Sequence, residues 1–250
     1  MSATLAWSLT ILFGALALTF LVEGSLAITL VLLAVATLVS AGVRLFRGRP
    51  EPKSAAPWSW LAGLGGAAVG ILLFSVTSTV QGDGLFHLAR VRKLAELGGL
   101  SLEGVGEFAD GGLHPGYAFP LWHGFLALIA RIAGVDSEEV VLHLPSVLAP
   151  IAVVVAYEAG CALFRTAWAA GAVAGAALAT ACFAPGHGGS YTLLALPASA
   201  SRHILFAAAL ALALTAIRTH SGALYASAAA AGLVLAVVHP TYAIFLWIPF

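Results

Sequence analysis

Residues 58–80 read WSWLAGLGGAAVGILLFSVTSTV, and residues 81–97, directly after them, read QGDGLFHLARVRKLAEL. The first stretch carries no charge and is long enough to cross a hydrocarbon core of roughly 30 Å as a helix rising about 1.5 Å per residue. The second places Asp83, Arg90, Arg92, Lys93 and Glu96 on a short helical period. An apolar span that gives way to a polar, amphipathic helix decides the fold class.

Comparable apolar runs occupy residues 5–22, 26–45, 140–164, 167–183, 203–217 and 223–238, which makes about seven spans. Hydrophobic residues make up 61% of the chain and charged residues 9%, and mean hydropathy is +1.01. A water-soluble domain has too little polar surface to cover that composition. The runs are rich in Ala, Leu, Val and Gly without period-two alternation, so their backbone amides are satisfied as helices rather than barrel strands. The expected fold is all-α: a polytopic transmembrane helical bundle whose long loop, residues 81–139, contains amphipathic interfacial helices. The first run is closely followed by a second and reads as a retained anchor, not a cleaved signal.

Arg44, Arg47, Arg49 and Lys53 form the densest basic cluster, and the positive-inside rule places it in the cytoplasm. The amino terminus is then cytoplasmic and residues 81–139 are extracytoplasmic, in a plasma membrane. Residues 117–133, with Pro120 and His123, are short for a span, and Tyr117 and Trp122 suit an interface. If this segment crosses, the turns at Arg165 and at Arg218-Thr219-His220 fall outside; laid flat on the outer face, which the charge rule favours, it leaves both on the cytoplasmic side. Residues 1–57 thus form an amino-terminal hairpin with its basic loop, and residues 58–250 a larger core. Sequence past Phe250 is expected, because the chain ends within apolar residues.

Within the loop, Asp83 is placed to cap the helix that follows. At about 100° per residue, Arg92, Lys93 and Glu96 share a polar face, and Leu88, Val91, Leu94 and Leu97 an apolar one. His87 and Arg90 fall within the apolar arc and align with Asp83 along one ridge facing the bundle. Such residues serve either as paired structural groups or as a site, with Asp83 a general base or hydroxyl ligand and Arg90 a planar donor fork for phosphate. Asp110, beside Gly111-Gly112, is a second candidate acid, since glycines let backbone approach a ligand. His114 and His123 with Asp83 or Asp110 suit a divalent metal by donor type, but no HxH or HExxH spacing supports one.

Other chemistries find no foothold. There is no GxSxG elbow, Walker loop, dinucleotide fingerprint or CxxC pair. Cys161 and Cys182 sit in apolar runs as small hydrophobes. Eleven basic and eleven acidic residues balance, so no nucleic-acid footprint is expected.

A span with an Asp at its outer end, an amphipathic helix, then His114-Pro115-Gly116-Tyr117 and a new span opening with His143-Leu144-Pro145-Ser146 resembles the GT-C superfamily of polytopic glycosyltransferases. That superfamily includes protein mannosyltransferases, aminoarabinose transferases and arabinosyltransferases. The likeness covers residues 58–240 in organisation, with motif-level similarity over about 60 residues of the loop. It implies a glycosyltransferase that moves a sugar, with inversion, from a polyprenyl-phosphate donor in the membrane lipid to an extracytoplasmic glycan, lipid or protein. Asp83 corresponds to the family's catalytic acid at the membrane edge, and Asp110 or Glu107 to a second acid. His114-Pro115-Gly116-Tyr117 approximates its His-Pro-Pro-Leu element and His143-Leu144-Pro145-Ser146 its Arg-Leu-Pro-Ser element, with His143 in place of the Arg, and histidine's charge depends on its surroundings. Arg90, with His87, would stabilise the departing phosphate, and His123 and His143 would join the substrate-binding set. Gly84 stands where protein mannosyltransferases carry the second member of an Asp-Glu pair.

Two other classes fit the same sequence. A transporter or flippase would place ionisable residues along a path through Gly- and Pro-interrupted spans, yet these spans carry few charges. A non-catalytic envelope-assembly subunit would use the loop as a docking surface. Glu158, inside a span, reads as a structural group.

Overall fold

The computed structural model describes residues 1–47, 58–105, 119–183 and 191–248. In chain order these form α1 (Ser2–Leu21), α2 (Leu26–Arg47), α3 (Ser59–Val76), α4 (Asp83–Leu97), α5 (Leu121–Ala133), α6 (Ser137–Phe164) and α7 (Ala167–Phe183). Then follow α8 (Pro197–Ala200), a π-helical turn (Ser201–Phe206), α9 (Ala207–Thr219), α10 (Gly222–Val238) and α11 (Pro240–Trp247). Every regular element among the described residues is helical. Among the described residues five helices are long and apolar enough to cross a membrane: Ser2–Leu21, Leu26–Val43, Ser59–Val76, Ser137–Phe164 and the continuous Pro197–Thr219. Their outward faces carry large apolar side chains such as Leu38, Leu64, Ile71 and Val147, a surface that water would penalise and lipid would not. The expected spans at 167–183 and 223–238 appear as α7 and α10, each 17 residues long.

The third apolar run stops being helical four residues early. After Val76 the backbone turns extended at Thr77, within the run Thr77-Ser78-Thr79-Val80. Stiff β-branched side chains, and hydroxyls that bond their own backbone, weaken a helix there, and the Thr77 hydroxyl donates back to the Leu73 carbonyl. Residues 77–81 therefore form an irregular strap between α3 and α4. α4 then begins at Asp83, with Gly82 at φ 56° as its N-cap. The expectation that Asp83 caps the helix is thus corrected: the left-handed backbone at residue 82 suits glycine, and the acid falls in the first turn instead.

α3 packs closely on α6. A β-carbon added at Gly66 would lie 2.6 Å from Pro150 Cα, and one at Gly70 would collide with the Ser146 carbonyl oxygen. Pro150 has no N–H to return to that carbonyl four residues back, so the gap in the α6 ladder sits where the glycine pair lets α3 approach. Small residues four apart serve this purpose in membrane bundles, where packing rather than water drives association.

Contacts sort the turns to two ends. At one end the Ser2 amide and hydroxyl donate to Glu158 Oε2 at 2.8 and 2.5 Å, and Arg218 donates to the Ala162 and Leu163 carbonyls that close α6. Arg165 and Thr219 share a cavity with Ser2 and Glu158. Glu158 is thereby the structural group expected from its place in the sequence.

At the other end the α1–α2 turn is tied to the end of α4, with Leu26 N donating to Gly98 O at 2.8 Å and Leu100 N to Gly24 O at 2.9 Å. Arg92 on α4 pairs with Asp136 and Glu138 at the start of α6, at 2.9 and 3.0 Å. The chain thus leaves α3 and enters α6 at the same end. α5, with 13 residues, is about 20 Å long and too short to cross between.

Candidate functional site

α4 and α5 are clamped to each other at this end. The last turn of α4 offers its Ala95 carbonyl to Arg131 Nη1 of α5 at 2.9 Å. Leu88, Val91 and Leu94 of α4 are buried in the main core, as the helical period predicts, and Leu126 and Ala127 of α5 join them there. Leu97 departs from that prediction and is exposed, because α4 ends there at the left-handed Gly98. Trp122 also differs: it is buried, stacked near Phe13 at 5.9 Å, and donates its indole N–H to the Ala195 carbonyl at 2.7 Å. Its polar atom is satisfied inside the protein, so it is a core residue that pins the 191–196 turn onto α5, not an interfacial anchor.

The ridge predicted on α4 does face inward. His87 is 1% exposed and Arg90 4%, while Asp83, half exposed, brings Oδ2 to 3.5 Å from His87 Nε2. The Arg90 guanidinium carbon lies 5.7 Å from the Phe86 ring centroid. From α5, His123 meets this ridge: its Nε2 is 2.8 Å from His87 Nδ1, with the two rings near parallel. The sequence places His87 and His123 on separate helices, 36 positions apart, and no spacing rule joins them. Burial, then the neighbouring His87 and Arg90, push His123 well below the ordinary imidazole range, so its ring is neutral at pH 7.

Asp83 also lines a cavity of about 560 Å³. The strap of residues 77–81 forms one wall, with Thr77, Ser78, Thr79 and Gln81, and the 191–196 turn adds Thr192. Val141 and Leu142 of α6 and Leu196 supply apolar surface. Among the described residues the lining offers hydroxyls, an amide and one carboxylate over an apolar floor, which suits a hydroxyl-bearing and partly apolar ligand. These strap residues are missed by a reading that takes 58–80 as one helix; the signal was the run of β-branched and hydroxyl residues just before Asp83. Beside the cavity, burial raises the Tyr191 phenol to about 12, so it remains a hydrogen-bond donor at every physiological pH.

His143 is at the same end but outside this lining. It sits 3.2 Å from Glu139 and 4.6 Å, centroid to centroid, from Phe74 of α3. Asp110, His114 and Tyr117, together with Glu107, lie outside the described residues. Among the described residues no three His, Cys, Asp or Glu side chains come together to hold a metal ion. What the arrangement offers chemically is a carboxylate at a cavity wall with a histidine pair and an arginine behind it. No protein-family model, characterised protein or solved structure matches the chain.

Proposed function

We propose that this chain belongs to an integral membrane glycosyltransferase of the GT-C type, with Asp83 as general base. The observation that carries the reading is the placement of Asp83: its carboxylate lines a hydroxyl-rich cavity at one end of the bundle, and a buried arginine lies two turns behind it. In the reaction Asp83 takes the proton of an acceptor hydroxyl, whose oxygen bonds to the anomeric carbon. The bond from that carbon to the phosphate oxygen breaks, and polyprenyl phosphate leaves with the electron pair. Attack from the opposite face inverts the centre. Arg90 offsets the charge that develops on the phosphate, Asp110 or Glu107 is the second acid, and His114, Tyr117 and His143 join the substrate-binding set. A lipid-linked donor explains why the enzyme lies in the bilayer, since its headgroup reaches the interface while its chain stays in lipid.

The same reading assigns seven crossings, the five long helices plus α7 and α10. The basic loop and the Glu158 end face the cytoplasm, and α4, α5 and the Asp83 cavity face the other side of the plasma membrane. The test is transfer by the full-length protein in nanodiscs from a panel of polyprenyl-phosphate sugars, with nucleotide sugars as the comparison. Turnover confined to the lipid-linked donors is expected, and turnover confined to nucleotide sugars, or none at all, contradicts the proposal. A transport reading draws on Pro145, Pro150 and the π turn, which interrupt two spans. Flux of a lipid-linked sugar across the bilayer without any glycosidic product would favour it.

A further inference from the structure

The bond between His87 and His123 has a direction, and Asp83 sets it. Each ring nitrogen of a neutral imidazole either donates or accepts, one of each per ring. The 2.8 Å contact between His87 Nδ1 and His123 Nε2 therefore has His87 either giving or receiving the proton. His87 Nε2 lies 3.5 Å from Asp83 Oδ2. Were the His87 proton on Nδ1, the lone pair of Nε2 would point at the carboxylate, and water reaches this contact only from the side of half-exposed Asp83, since His87 is 1% exposed, so the repulsion is only partly screened. With the proton on Nε2, the N–H faces the carboxylate and Nδ1 is left to accept. A doubly protonated His87 would add a cation one turn from the buried Arg90.

We infer that ionised Asp83 fixes His87 as its Nε2–H tautomer and His123 as the donor, making a directed chain from His123 through His87 to Asp83. The chain is a positioning device. His123, held by α5, sets the ring plane of His87, and His87 presents one N–H to Oδ2 of Asp83. Its functional half rests on the proposed role of Asp83 as general base; its tautomer half does not. Held on one oxygen, the carboxylate keeps the other for the acceptor hydroxyl on the cavity side. When Asp83 takes up that proton it becomes neutral, and the constraint on the His87 tautomer ends until the proton leaves to solvent. The two histidines neither gain nor lose protons across the cycle.

The test uses the full chain with ¹⁵N-labelled histidine in nanodiscs, with ring nitrogens assigned through His87→Gln and His123→Gln. Protonated Nε2 and bare Nδ1 at His87, with protonated Nε2 at His123, are expected at pH 7. Asp83→Asn can turn an amide N–H toward His87, so part or all of the His87 population is expected to shift to the Nδ1–H form. His123→Gln keeps an amide donor near the position of Nε2 and is expected to preserve both the His87 tautomer and the hydrogen bond to its Nδ1; His123→Leu is expected to keep the tautomer, which Asp83 sets, and to lose that hydrogen bond, read as a shift of the bare Nδ1 signal. A His87 protonated on Nδ1 or on both nitrogens in the parent protein, or a His87 signal unmoved by Asp83→Asn, would overturn the chain. With transfer as readout, His123→Leu is expected to lower kcat roughly 10- to 100-fold, the scale of a small misplacement, with KM kept, and His123→Gln to recover most of it. Transfer with the wrong tautomer sinks the chain alone, whereas the right tautomer without transfer in any protein sinks the glycosyltransferase reading alone.

Discussion

At His123, burial and the charge of Arg90 act in the same direction, and both keep the imidazole neutral. The unfolded chain has no such restraint and takes up a proton near pH 6.5. Between that pH and the lower folded value the unfolded state binds more protons, so stability falls as pH falls, by up to about 1.4 kcal/mol per pH unit for one proton. Thermal unfolding in detergent between pH 7.5 and 5 is expected to show a falling Tm, and His123→Gln to flatten the slope. A Tm that rises on acidification would contradict the neutral, buried pair. At this scale the sequence told half the story. The inward turn of His87 and Arg90 follows from the 3.6-residue period of α4, because Leu88, Val91 and Leu94 fix which face is buried. The pairing with His123 follows from how α5 docks on α4, a tertiary fact with no local signal.

Helix by helix, hydropathy located the runs and side-chain chemistry moved their ends. α3 ends at Val76 because the residues after it bond their own backbone, and that early stop creates the strap that walls the cavity. The α3–α6 contact depends on backbone approach rather than on large side chains. Leucine at Gly70 has no space against the Ser146 carbonyl, and at Gly66 it meets the Pro150 backbone. Either substitution is expected to cost about 1–3 kcal/mol, the range for overpacking. Leucine at Gly65, where an added β-carbon meets nothing within 4 Å, is expected to be neutral. Unfolding of the three variants in mixed detergent micelles checks this, and equal loss at all three positions would refute a specific glycine contact. The helical projection erred at Leu97 and the preference of aromatics for an interface at Trp122, where a chain reversal and an internal carbonyl decided exposure.

Across the whole molecule, the arrangement of ends carries the functional proposal. The charge rule puts the Arg165 and Arg218 turns with the amino-terminal side, and the contacts of Glu158 and Arg218 gather those turns at one end while α4 and α5 occupy the other. Val135, just before α6, is exposed and serves as a probe of the α4–α5 end. With Cys161 and Cys182 replaced, Val135→Cys is expected to react with an impermeant maleimide from outside intact cells, and Thr219→Cys only after permeabilisation. The reverse pattern would turn the Asp83 cavity toward the cytoplasm. The most direct measurement is the rate of sugar transfer by the full-length Asp83→Asn protein from the polyprenyl-phosphate donor that the parent protein uses. Loss of a general base is expected to lower kcat by about 10²–10⁴-fold, with the fold retained and Glu158→Gln, at the opposite end, far less affected. Full turnover by Asp83→Asn would contradict the account.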